Sequence, residues 1–279
     1  MNEKACQPIG VFDSGAGGLS VLKALRAQLP DEKLVYVADQ AHVPYGPRSL
    51  AEVRRFSEEI TRFLLAQGVK LIVVACNTAS AAALHHLRAV FPQISFVGME
   101  PAVKPAAEYT HTGVVGVLAT PATFQGELFA SVVERFASHV TLLKHTCPGL
   151  VDQIEAGHLQ DDPTRRILEE AIQPMLAQNV DTIVLGCTHY PFVIPLIRDI
   201  AGPQVRVIDP APAVARQAGR LLDAQNLRRV PSQCVDAGPA VRFFTSGSPE
   251  KMQRLLPLLS VQPGPVEQLC WQGDRLITV

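Results

Sequence analysis

Two stretches of this chain share one design. In Leu71-Ile72-Val73-Val74-Ala75-Cys76-Asn77-Thr78-Ala79-Ser80 an apolar run meets a cysteine, an amide and a hydroxyl, and an Ala-rich segment follows. In Thr182-Ile183-Val184-Leu185-Gly186-Cys187-Thr188-His189-Tyr190-Pro191 the apolar run again ends in a cysteine followed by a hydroxyl. An all-apolar run of this length, bounded by polar residues, suits a parallel strand buried on both faces. Each cysteine then falls at a strand terminus with a helix opening behind it. Pro191 suits the first turn of such a helix. The remaining residues must bring these two strand-end thiols together.

Strand and helix patterns alternate along the whole chain, which predicts an α/β fold with parallel sheets. Pro8 to Phe12 reads as the first strand. The loop Asp13-Ser14-Gly15-Ala16-Gly17-Gly18 follows, then a helix from Leu19. Such Gly-rich loops commonly face anionic ligands. Here Ser20 occupies the third glycine position of a dinucleotide fingerprint, and the leading Asp13 repels phosphate and attracts an ammonium group. After a strand at Leu34 to Ala38, the segment Ala41-His42-Val43-Pro44-Tyr45-Gly46-Pro47 reads as a rigid loop presenting Tyr45. Ser49 and Glu52 form a capping box for a long amphipathic helix. Glu100 to Pro105 reads as a kinked connector, Ala119 to Thr123 as a loop, and Leu150 to Glu155 as a short helix carrying an acid. The two cysteine strands, half a chain apart, predict two similar doubly wound parallel-sheet domains facing each other across a cleft. The expected boundaries give residues 1–98 plus 210–279 to the first domain and 99–209 to the second.

Composition narrows the function. The 279 residues are 47% hydrophobic and carry a net charge of -1, so nothing electrostatic points to nucleic acid or a membrane surface. Neither a secretory leader pattern nor an apolar run near the roughly 18 residues of a membrane span is present. A cytoplasmic protein is the expectation. The six cysteines have no close pair and no CxxC spacing, so neither a structural metal site nor a disulfide framework is expected. Cys6, Cys147, Cys234 and Cys270 read as small buried hydrophobes. Cys76 and Cys187 differ because of where they sit.

In open α/β sheets ligands bind beyond the carboxyl ends of the strands. Asp13, Tyr45, Cys76, Thr123 and Cys187 all fall there. A thiol at a helix N-terminus is expected to ionise more easily. Two such thiols across one cleft fit three chemistries: dithiol redox, one nucleophile served by a base such as His189, or two bases on opposite faces of one substrate carbon. The third uses every residue. One thiolate takes an α-proton and the opposite thiol returns one from the other face. Asn77, Thr78, Thr123 and Thr188 supply neutral donors for a carboxylate and the developing carbanion. Asp13 suits an ammonium. Ser14, Tyr45 and the Gly46 amide suit a second carboxylate.

Asp13-Ser14-Gly15-x-Gly17-Gly18-Leu19, Pro44-Tyr45-Gly46, Cys76-Asn77-Thr78-Ala79-Ser80 and Gly186-Cys187-Thr188-His189-Tyr190-Pro191, in this order, resemble glutamate racemases of the aspartate/glutamate racemase superfamily. The resemblance runs from about Ile9 to Leu222. It implies interconversion of L- and D-glutamate without a cofactor, supplying D-glutamate for peptidoglycan. It places the catalytic thiols at Cys76, acting on the D enantiomer, and Cys187, acting on the L enantiomer. It places substrate contacts at Asp13, Ser14, Tyr45, Gly46, Asn77, Thr78, Thr188 and His189. Assisting acid–base roles fall to Asp13, Glu155 and His189. Ala122 stands where the family loop before Thr123 usually has Gly. A homodimer is compatible with this resemblance. The alternatives are a racemase of a related amino acid such as aspartate, a non-catalytic binding protein, or a pyridoxal phosphate enzyme. The last needs a Schiff-base lysine, and none of the seven lysines lies in a motif.

Overall fold

A computed structural model describes residues 3–234 and 238–279. The first half runs β1 (Ile9–Asp13), α1 (Leu19–Gln28), β2 (Leu34–Ala38), α2 (Leu50–Ala66), β3 (Leu71–Val74), α3 (Asn77–Val90) and β4 (Ser95–Val97). Next come α4 (Val103–Tyr109), β5 (Val114–Ala119), α5 (Pro121–Gln125), α6 (Glu127–Phe136), β6 (Thr141–His145), α7 (Leu150–Glu155) and α8 (Asp162–Leu176). Then follow β7 (Thr182–Gly186), α9 (Ile194–Ala201), β8 (Arg206–Ile208) and α10 (Ala211–Ala224). The chain ends with β9 (Val241–Thr245), α11 (Pro249–Leu258), β10 (Val266–Gln272) and β11 (Arg275–Thr278).

The strands form two sheets, ordered β11-β10-β9-β2-β1-β3-β4 and β6-β5-β7-β8. Within the larger sheet, β2-β1-β3-β4 repeats the order of the smaller one, so Cys76 and Cys187 follow equivalent strands, β3 and β7. β1, β2 and β3 are buried at every position, as strands covered on both faces must be. Helices cover both sheets and the two domains face each other across a cleft. β4 and β5 lie in different sheets, as do β8 and β9. The chain therefore changes sheet after Val97 and again after Ile208. α10 packs on α1, with the larger sheet.

The expected capping box is present: Glu52 N donates to Ser49 Oγ and Ser49 N to Glu52 Oε2. Three expectations need correction. Val103 to Tyr109 is a helix, because Pro105 falls in its first turn, where a missing N–H costs nothing. β11 pairs antiparallel with β10, so the larger sheet is not wholly parallel. The hairpin turns through Gly273, whose φ is +59°, and Asp274. That Gly-Asp pair between two strand-like runs was the available signal.

The third correction concerns cysteine. Cys6 and Cys234 form a disulfide, and Cys270 is exposed on β10. Arg229 binds the same corner, its side chain donating to Cys6 O and its amide to Glu32 Oε1. The bridge spans a separation of 228 residues, and closing so long a loop removes unfolded-state entropy worth on the order of 4 kcal/mol. Reduction, or Cys6→Ser, is expected to lower the midpoint of thermal unfolding by roughly 10 °C. Calorimetry with and without reductant checks this, and an unchanged midpoint would mean the bridge adds nothing.

Candidate active site

The ends of β1, β3 and β7 meet at the cleft. β3 leads straight into Cys76, whose extended backbone caps α3, and Ala79 N donates to Cys76 Sγ at 3.4 Å. Cys187 follows β7 directly. Both thiols line one cavity of about 20 Å³, together with Ser14, Tyr45, Gly46, Asn77, Thr78, Thr120, Thr188 and His189. A cavity of about 250 Å³ shares Pro44, Gly46, Thr120 and Val151 with it. A larger one, about 720 Å³, lies elsewhere among residues such as Arg88, Phe96, Lys104 and Leu221, with no thiol or imidazole, so size does not mark the site.

Asp13 ends β1 fully buried behind the cavity. Its Oδ2 accepts from Gly15 N at 3.2 Å and Gly18 N at 2.9 Å, and Thr188 Oγ1 donates to its Oδ1 at 3.3 Å. Burial raises its pKa against the pull of His189 and these amides. The Cys76 thiol adds a smaller pull in the same direction as these amides. That thiol is itself pushed well up, first by burial and then by the charge of Asp13. The expected ease of ionisation at a helix N-terminus is therefore overturned at Cys76, because losing water outweighs one amide and a helix dipole.

The other thiol has a different neighbourhood. His189 Nδ1 lies 3.8 Å from Cys187 Sγ, and His189 Nε2 lies 2.8 Å from Glu155 Oε1. Burial works to lower the imidazole's pKa, but hydrogen bonds to Cys187 and Glu155 prevail and carry it well above the usual value. For Glu155 burial works upward, yet His189, the Ala16 amide and Gln40 hold the carboxyl below its usual range. The imidazolium is thus held between the Glu155 carboxylate and the Cys187 sulfur. Glu155, a surface-type acid by local pattern, is buried here.

The Gly-rich loop explains how these groups come so close. A Cβ on Gly15 would sit 2.1 Å from Glu155 Oε1, and one on Gly17 would sit 2.4 Å from His189 Nδ1. Ala16 N donates to Glu155 Oε1 at 2.6 Å, and Ser20 Oγ to Thr188 O at 3.0 Å. Only a loop bare of side chains lets β1 of one domain reach the β7 site of the other.

Two expected contacts read differently in space. Thr120, absent from the sequence reading, lines the cavity, while Thr123 lies behind it. Thr120 shares hydrogen bonds of 2.9 Å with Thr78 in front and Thr123 behind. The Tyr45 hydroxyl donates to Asp39 Oδ2 at 2.6 Å, so its proton is not free for a ligand carboxylate. Ser14 and the Gly46 amide remain as donors there. Asn77 lines the cavity with both amide atoms buried and without a protein partner.

Asp39 was also missed. Ser246 Oγ and Trp271 Nε1 both donate to its Oδ1, at 2.6 and 2.7 Å, and His42 Nδ1 lies 3.0 Å from its Oδ2. The carboxyl-end position on β2 was a usable signal; its partners in the tail were not. Among the described residues no group of three His, Cys, Asp or Glu side chains is arranged to hold a metal ion.

Comparison with known proteins decides the family. Residues 9–218 match the family model described as Asp/Glu/Hydantoin racemase. A glutamate racemase of Pseudomonas aeruginosa is 51% identical over 263 residues, 94% of this chain and 97% of the relative. The chain belongs to the glutamate racemases of this family. It is thereby an amino-acid racemase, an isomerase. Two solved structures agree with this racemase in fold. That of Escherichia coli glutamate racemase, in complex with L-glutamate and activator UDP-MurNAc-ala, has a TM-score of 0.82 at 31% identity, covering 96% of this chain and 100% of that one. The Francisella tularensis glutamate racemase in complex with D-glutamate has a TM-score of 0.81 at 30% identity, covering 95% and 97%. No helix among the described residues is long and apolar enough to cross a membrane.

Proposed function

We propose that this racemase interconverts L- and D-glutamate with two thiols, Cys187 taking the α-proton of the L enantiomer and Cys76 that of the D enantiomer. The observation that carries the reading is the single small cavity walled by both sulfurs. His189, held by Glu155, lies against the Cys187 sulfur, while burial and then Asp13 push the Cys76 thiol well up. The L-to-D direction needs Cys187 as the thiolate facing Cys76 as the thiol, and His189 is the group placed beside Cys187 to support that charge. In the reverse direction Asp13, its proton affinity raised by burial, is placed to accept the proton of Cys76. Asn77 and Thr78 bind the α-carboxylate, with Thr188 joining them once its hydroxyl turns from Asp13, and Ser14 and the Gly46 amide bind the distal one. The absence of any lysine from the site's motifs supports proton transfer without pyridoxal phosphate. D-glutamate for peptidoglycan, made in the cytoplasm, is the product this reading implies.

Solvent isotope decides the mechanism. The thiol that takes the substrate proton can return only that proton while the carbanion lasts; the opposite thiol carries a solvent proton. Early in reaction in D₂O, product glutamate is expected to carry deuterium at Cα while recovered substrate carries almost none, from either enantiomer. Equal early labelling of both enantiomers would point to a single base. Aspartate assayed beside glutamate tests the nearest alternative substrate.

A further inference from the structure

We infer that Gln40 is a positioning residue for the thiol of the opposite domain, anchoring Glu155 and through it the His189–Cys187 contact. The inference rests on the two-thiol reading. Gln40 follows β2 in the larger sheet, whereas Glu155, His189 and Cys187 all belong with the smaller one. Its Nε2 donates to Glu155 Oε2 at 2.8 Å across the cleft.

The amide is held in one orientation. Gly247 N donates to Thr245 Oγ1 at 3.0 Å, which leaves that hydroxyl's proton for Gln40 Oε1, 2.8 Å away. With Oε1 so occupied, the NH₂ faces the carboxylate, and a flipped amide would set its oxygen against that charge instead. Gly247 is needed for this packing, since a Cβ there would sit 2.7 Å from Gln40 Cβ. Hydrogen bonds thus run from the end of β9, through Thr245, Gln40, Glu155 and His189, to Cys187.

Glu155 is buried, so each donor it loses strengthens its hold on a proton. Ala16 N and His189 serve Oε1; Gln40 serves Oε2. Other charged or titratable groups near this cluster are Asp13, Tyr36, Cys76 and Cys187. Asp39, next to Gln40, spends its carboxylate on Tyr45, Ser246, Trp271 and His42. Without Gln40, Glu155 takes up a proton at a higher pH, and the neutral carboxyl no longer holds the His189 imidazolium in place against Cys187.

The test is the pH profile of kcat/KM for glutamate in Gln40→Met, which keeps the length and apolar bulk but not the donor. On the acid side the variant should fall about tenfold below the parent, the weight of a hydrogen bond to a charged group, and rejoin it at alkaline pH. Gln40→Glu, nearly isosteric, puts a like charge against Glu155 and should move the acid limb further the same way. Adding Gln40→Met to Glu155→Gln should cost nothing more on that limb. A uniform drop at every pH, or a profile superimposed on the parent, overturns the inference. Cys187→Ala run alongside separates the two claims: if it stays active, the two-thiol reading itself fails; if it is dead while the Gln40 profiles do not shift, only the role of Gln40 fails.

Discussion

Cys76→Ala and Cys187→Ala are each expected to lower racemisation by at least about a thousandfold, in both directions. Enantiomers have equal energy, so kcat/KM from L-glutamate must equal that from D-glutamate in every variant. Loss of either thiol therefore cannot spare one direction. A positioned acid or base contributes roughly 10² to 10⁴ in rate, and here each thiol plays both parts over the two directions. Cys147→Ala is the control. It too is buried and lines the neighbouring cavity, but burial, and then Cys187, push its thiol up to about 12, so it does not ionise in the working range. Polarimetry of the three variants is the measurement. Near-normal turnover in Cys187→Ala would end the two-thiol model.

Gly17→Ala is expected to cost roughly a hundredfold in kcat while leaving the fold in place. The added methyl would meet His189 Nδ1 at 2.4 Å, its Cε1 at 2.6 Å and Thr188 Oγ1 at 2.6 Å. His189 cannot swing away without losing Glu155, which holds its other nitrogen. The displacement then falls on the His189–Cys187 contact, and a shift of about 1 Å in a reacting group is worth on that order in rate. Circular dichroism together with kcat separates a local displacement from unfolding. An active Gly17→Ala would show that the loop and the imidazole are not closely packed.

What could be read in the sequence was whatever is local. The strand-to-cysteine runs at Val74-Ala75-Cys76 and Leu185-Gly186-Cys187, and the capping box at Ser49 and Glu52, carry their physics within a few residues. Glu155 could be placed on a short helix, but its burial depends on Ala16, Gln40 and His189, none of them its neighbours in sequence. The Cys6–Cys234 bridge and the tail's hold on Asp39 through Trp271 are contacts over more than two hundred positions, and no periodicity encodes them. The strand-end rule put Cys76 in the right place. It misjudged the thiol's acidity because acidity depends on how much water is excluded, which is a property of packing. Thr120 and Thr123 differ by less than one helical turn, and only the backbone decides which of them faces the cavity.

The space between the thiols, about 20 Å³, holds about one water molecule. Glutamate is several times larger. The hydrogen bonds that join the domains, Thr78 to Thr120 and Ala16 and Gln40 to Glu155, are the ones that widening this cleft would break. A domain swinging open moves through solvent and meets friction as well as bonds. With the cleft this tight, kcat is expected to fall as viscogen is added, and a kcat indifferent to viscosity would show that opening does not set the pace.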